Sequence, residues 1–92
     1  MALNDTNETT SSFTANWRSV SGATGYRLDV STSSTFASYV TGYNNRNVIG
    51  NVTNQNVTPL AANTFYYYQV RAYNGNGTSP NSNVIRAKTK NR

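Results

Sequence analysis

Within the stretch from Leu60 to Tyr73 the chain alternates: Tyr66, Tyr68, Val70 and Ala72 against Phe65, Tyr67, Gln69, Arg71 and Tyr73. A period of two in aromatic and β-branched residues is the pattern of a strand with one buried and one wetted face. The first set ends in small and aliphatic groups, as a core-facing row should. The second carries an amide, a guanidinium and phenols, which suit water. Asn74-Gly75-Asn76-Gly77 follows at once, and Asn-Gly is the strongest short-range hairpin signal. A strand this long needs partners on both sides and a second layer against its apolar row.

The rest of the chain supplies such partners. Phe13, Ala15 and Trp17 share one face of a strand, as do Tyr26, Leu28 and Val30 of another, which turns Arg27 and Asp29 outward. Tyr39–Thr41, Val48–Val52 with a break at Gly50, Gln55–Thr58 closed by Pro59, and Val84–Thr89 with Ile85 and Ala87 inward read as shorter strands. Phe36 is expected to plug the core edge, and residues 42–45 to form a turn. Residues 2–11 are weaker: Ala2 and Leu3 can anchor an edge strand, but Asp5 and Glu8 interrupt its alternation. No stretch reads as a helix and no repeat is visible. Six or seven short strands between regular turn signals predict an all-β, antiparallel β-sandwich of the immunoglobulin-like kind.

Ninety-two residues make one domain, 1–92. Its core is expected over about 5–89, with a basic tail at 90–92. Cysteine is absent, so neither a disulfide nor a thiolate metal site supports the fold. No apolar run approaches the roughly 20 residues of a membrane span. Polar residues follow Met1-Ala2-Leu3 directly, so no signal peptide is read there. The net charge of +5 comes from basic residues scattered along the chain, apart from Lys88, Lys90 and Arg92. Scattered charge reads as a solvated surface, so neither nucleic-acid binding nor membrane insertion is expected, and the domain is expected to be a monomer.

Phe13-x-x-x-Trp17, the stretch from Gly22 through Tyr26 to Leu28, and Leu60 through Tyr66 to Ala72 together resemble a fibronectin type III domain. Residues 42–45 and 77–83 look like the version found in multidomain secreted proteins of bacteria. The resemblance implies two sheets, A-B-E and C-C′-F-G. It also implies a Trp17 held between them and a Tyr66 that bonds nearby backbone at a corner. Leu28, Leu60 and Val70 complete the expected core. Glu8 departs from the family pattern, which usually has an apolar residue there, and so does Ala62, where a turn-former is usual.

Catalysis lacks the side chains it needs. His and Cys are absent, and the only carboxylates are Asp5, Glu8 and Asp29, whereas acid–base chemistry usually needs a pair of titratable groups with separated pKa values. No cofactor or metal is expected. Two surfaces remain. One is the outward face made by Arg27, Asp29, Tyr67, Gln69, Arg71, Arg86 and Lys88, where phenols beside guanidinium and amide donors suit a sugar, and the positive charge an acidic glycan. The structural reading of the same residues is cross-strand pairing, with Arg27 or Arg71 on Tyr67 and Asp29 as counter-charge. The other surface is the loop end formed by residues 19–25 and 74–80, with Ser21, Thr24, Asn74 and Asn76 as candidate contacts. Asn-x-Ser/Thr triplets at Asn4, Asn7, Asn51, Asn56 and Asn76 are what an Asn- and Thr-rich chain produces by chance. The expected role is a non-catalytic module that spaces neighbouring domains of a larger secreted or cell-surface protein. The alternatives are a module binding polysaccharide or cell surface, in a secreted enzyme or on a phage particle, and a stand-alone stable binding scaffold.

Overall fold

The computed structural model describes residues 2–50, 52–79 and 82–91. Asn51 of the third triplet, Pro80 of the second loop and Arg92 of the basic tail lie outside them. Among the described residues, eight strands run in the order β1 (Ala2–Thr6), β2 (Phe13–Trp17), β3 (Gly25–Ser31), β4 (Arg46–Ile49), β5 (Asn54–Val57), β6 (Phe65–Asn74), β7 (Gly77–Thr78) and β8 (Ile85–Lys88). One sheet has the order β1-β2-β5, and the other runs β4-β3-β6 with β7 and β8 both paired to β6. All pairings are antiparallel. This is the sandwich read from the sequence, in the sheet order that the resemblance implied.

The long strand β6 is inward at Tyr66, Tyr68, Val70 and Ala72, as its alternation requires. These residues meet Phe13, Ala15 and Trp17 from β2 and Tyr26, Leu28 and Val30 from β3, all essentially without solvent contact. The Phe13 ring stacks on Tyr68 at 5.7 Å, and Trp17 tilts against Tyr26 at 5.5 Å. Trp17 Nε1 donates to the Val52 carbonyl at 3.0 Å, so the indole is buried without an orphaned donor. Tyr66 makes the implied corner: its hydroxyl accepts the Ala61 N–H at 2.9 Å. Leu60, expected in the core, is half-buried and packs against its margin.

The first strand is firmer than its sequence suggests. Ala2 is buried and β1 pairs with β2 across a bulge between Leu3 and Thr6. The Asn16 amide fills the gap in the ladder, donating to the Asn4 carbonyl at 3.0 Å and to Thr6 Oγ1 at 3.1 Å. Glu8 lies beyond the strand, so its charge does not interrupt the pairing. Asn83, from the segment just before β8, grips Ala2 by both backbone groups, at 3.1 Å each.

The last strand of the second sheet is divided into β7 and β8. Between them, the Ser79 and Ser82 hydroxyls accept the N–H groups of Ala72 and Val70 at 2.9 and 3.0 Å. Three expectations fail locally. Residues 39–41 are not a strand, although Val40 N donates to the Val30 carbonyl at 2.8 Å. Phe36 is half-buried and packs on Tyr39 at 6.2 Å instead of sealing the core. Tyr43, read as part of a turn, is a core residue whose hydroxyl donates to the Asn56 carbonyl at 3.2 Å.

Truncating Trp17→Ala removes the largest of these rings and is expected to cost about 3–5 kcal/mol. Tyr66→Phe keeps the ring and orphans one N–H, for about 1 kcal/mol. Urea unfolding of the two variants beside wild type measures both, and equal losses would contradict this account.

Candidate functional site

The outward face of the second sheet is set by register. β3 and β6 pair Gly25 with Tyr73, Arg27 with Arg71, Asp29 with Gln69 and Ser31 with Tyr67. β6 and β8 pair Tyr67 with Arg86 and Phe65 with Lys88. The predicted residues do share one face, but they do not form one surface.

Asp29 and Gln69 were expected in water, and both are buried. The cause is the segment before β4. Asn45 takes a left-handed backbone, φ 60, which Asn tolerates better than most residues. There its N–H donates to Asp29 Oδ1 at 2.6 Å. Gln69 Nε2 donates to Asp29 Oδ2 at 3.0 Å, and Arg71 Nη1 to the same oxygen at 3.2 Å. The Arg71 guanidinium also donates to the Asn45 side-chain oxygen. Asp29, Gln69 and Arg71 are therefore an internal network that fastens the 41–45 segment to the sheet. Their charges and donors are engaged with one another.

Arg27 stacks on Tyr73, 4.8 Å from the ring centre, and not on Tyr67. That ring lies over Gly25, where an added Cβ would come within 2.4 Å of the Tyr73 hydroxyl. A larger residue there would require the Tyr73 ring to shift. At the opposite end of the face, Arg86 and Lys88 both lie over Phe65, at 4.6 and 5.0 Å from its centre. Phe65 was assigned to the wetted row and is exposed, but it did not enter the candidate set. The signal for it was its register opposite a basic strand, which sequence alone does not reveal.

The loop end is a shallow groove of about 280 Å³ with Val20, Ala23 and Ala72 at its base and Ser21, Asn74, Asn76 and Thr78 around it. Most of the predicted contacts there hold the loops together. Thr24 Oγ1 and N–H both donate to the Tyr73 carbonyl, at 3.2 and 2.8 Å. Asn74 Nδ2 donates to the Gly22 carbonyl at 3.4 Å, and its Oδ1 accepts the Asn76 N–H at 2.8 Å. Ser21 is exposed at the groove.

Carboxylates Asp5 and Glu8 sit together on the first sheet's edge. Burial within the β1 bulge raises Asp5 to about 7, helped by a hydrogen bond and repulsion from Glu8. Asp5 Oδ2 is shielded from solvent and meets no donor among the described residues. Tyr68, whose hydroxyl donates to the Leu3 carbonyl, is pushed up to about 12, mainly by burial.

A model of the fibronectin type III domain matches residues 2–88. The chain belongs to the fibronectin type III family. Contactin-6 from Rattus norvegicus and from Homo sapiens are each 54% identical over 43 residues, 47% of this chain and 4% of theirs. This fibronectin type III chain thus spans a small part of the length of those relatives. Among solved structures, the fn3 domain of human collagen alpha-1(XX) superposes with TM-score 0.80 at 21% identity, over 99% of this chain and 82% of that one. Chicken CNTN1 FN1-FN3 domains superpose with TM-score 0.70 at 21% identity, over 98% of this chain and 31% of that one. At that identity the superpositions show the fold alone. These relatives are animal proteins, and the bacterial secreted type expected from residues 42–45 and 77–83 finds no support in them.

Two outcomes test these electrostatics. Asp29→Ala leaves a guanidinium, an amide and an N–H without their acceptor, and is expected to cost about 3 kcal/mol in chemical unfolding. For Asp5, the native state holds its proton more tightly than the unfolded state, whose carboxyl titrates near 3.8. Its contribution to stability is therefore fully present below about pH 4 and is lost as pH rises to about 7. Asp5→Asn should match wild type in melting temperature near pH 4 and exceed it at pH 8. A constant difference across that range would refute the assignment.

Proposed function

We propose that this fibronectin type III domain is a non-catalytic module that holds neighbouring domains of a larger secreted or cell-surface protein at a fixed separation. The observation that carries this reading is where the chain enters and leaves. Ala2 pairs with Trp17, at the end of the sandwich that holds the 18–24 loop and the β6–β7 hairpin. Lys88 pairs with Phe65 at the other end. The long dimension is 44 Å, against 25 and 20 Å for the others.

Both ends are tied down. Asn83 clamps Ala2 at one end. At the other, Thr89 is buried, its Oγ1 donating to the Ala61 carbonyl at 2.6 Å and accepting the Thr64 N–H at 3.1 Å. Lys90 N donates to the Thr9 carbonyl at 2.9 Å, and the Lys90 carbonyl accepts the Asn63 N–H at 3.0 Å. A spacer needs such ends, because motion at the exit would erase the fixed separation. The non-catalytic part of the reading rests on the carboxylates: Asp29 is consumed by its network, and no cluster of three or more His, Cys, Asp or Glu side chains occurs among the described residues. Among the described residues no helix is long and apolar enough to cross a membrane.

The test fuses a folded fluorescent reporter to each end and measures the distance distribution between them. A narrow distribution, with the reporters separated by at least the long dimension of the sandwich, is expected. Thr89→Val leaves the Ala61 carbonyl and the Thr64 N–H unpaired; it should broaden the distribution and cost about 1–3 kcal/mol. A broad distribution already present in wild type would overturn the spacer reading.

A further inference from the structure

The outward face divides into a locked half and an open half. In the locked half, Arg71 has Asp29 and Asn45, and Arg27 has the Tyr73 ring. The open half contains Phe65, Tyr67, Arg86 and Lys88. Phe65, Arg86 and Lys88 are exposed there, and Tyr67 is half-buried. Arg71–Asp29 is the one ion pair among the described residues, so neither Arg86 nor Lys88 has a carboxylate partner among them. Yet both cations are drawn onto a single ring. Both charges lie within 5.0 Å of one ring centre, so positive charge is concentrated at this point of the surface and favours an anion beside it.

We propose that Arg86 and Lys88, gathered on Phe65 and flanked by Tyr67, form a binding site for an acidic polysaccharide, one that carries carboxylate or sulfate groups on its sugars. The guanidinium and ammonium take the acid group through charge-assisted hydrogen bonds, and the Tyr67 phenol contacts the sugar ring beside it. Phe65 is a positioning residue that sets the spacing of the two cations. Phe65 and Tyr67 lie on β6, and Arg86 and Lys88 on β8, the edge strand beside it. All four belong to the outward row of the sheet, so a ligand held by their side chains lies across the face, whereas a peptide's usual mode on a sheet is addition as a strand along the backbone edge. Charge complementarity names the occupant further: with two cations that have no carboxylate partner among the described residues, a neutral glycan would leave the strongest groups unused. The proposal holds whether or not the domain also works as a spacer.

The experiment titrates the whole 92-residue chain with polygalacturonate and with dextran sulfate at low and moderate salt. Neutral dextran and polyglutamate serve as comparison ligands. Saturable, salt-weakened binding to one or both acidic polysaccharides is expected. Arg86→Gln/Lys88→Gln should lose about tenfold or more in affinity, while Arg18→Gln/Arg46→Gln, which removes the same charge elsewhere, should lose far less. Amide shifts of the wild-type chain supply a readout that needs no variant, and they should concentrate on residues 65–67 and 86–88. Equal losses in the two double variants, or shifts spread over the whole surface, would show attraction to net charge alone and overturn the site. Equally tight binding of dextran or of polyglutamate would overturn the ligand class.

Discussion

The core of this domain is built largely from rings that carry a polar atom, and each such atom has to find a hydrogen bond inside an apolar layer. Trp17, Tyr26, Tyr43, Tyr66 and Tyr68 are all buried. Trp17 donates to Val52, Tyr43 to Asn56 and Tyr68 to Leu3. The hydroxyls of Tyr26 and Tyr66 accept from Val20 and Ala61. In every case the partner is a main-chain group on another segment. Burial of the ring and placement of that segment are thus one event. The 18–24 loop, the segment before β5, the corner before β6 and the first strand are each held by the tip of a ring whose body lies between the sheets. This is how a chain without disulfides can hold its connections in place from a modest core.

That dependence also marks what the sequence could reveal. Alternation along Phe13–Trp17, Tyr26–Val30 and Tyr66–Ala72 assigned inward residues correctly, because a period of two is a property of the backbone itself. It misplaced Asp29 and Gln69 for the same reason. Parity turns them away from the core, and only the 41–45 segment folding back over β3 buries them. Tyr43 was hidden similarly, since its neighbours Gly42, Asn44 and Asn45 have turn chemistry while its own ring enters the core. Register was the other blind spot. That Phe65 faces Lys88, and Gly25 faces Tyr73, follows from pairing and not from either strand alone.

The charges follow a single pattern. With three carboxylates for eight basic side chains, most cations cannot have an acidic partner. Asp5 and Glu8 interact with each other at the edge of the first sheet, and Asp29 is taken by Arg71. Several of the remaining cations lie on aromatic rings: Arg27 on Tyr73, Arg46 on Tyr43, and Arg86 with Lys88 on Phe65. A ring face attracts a cation without neutralising it. Stacking therefore orders these side chains while leaving their charge available to a ligand.

The two halves of the outer face differ because different neighbours flank them. On the β4 side the preceding segment supplies Asn45, whose N–H and side-chain oxygen complete the Asp29 network and close that half. On the β8 side the strand is short, ends at Lys88, and alternates Arg86 and Lys88 outward with Ala87 inward. Nothing described folds over those two cations. Along β6 itself the outward row passes from Tyr73, seated on Gly25, through Arg71 and Gln69 in the network, to Tyr67 and Phe65 at the open end. One strand with one alternation thus supplies a structural clasp and a free surface, and the register of its neighbours decides which residues serve each.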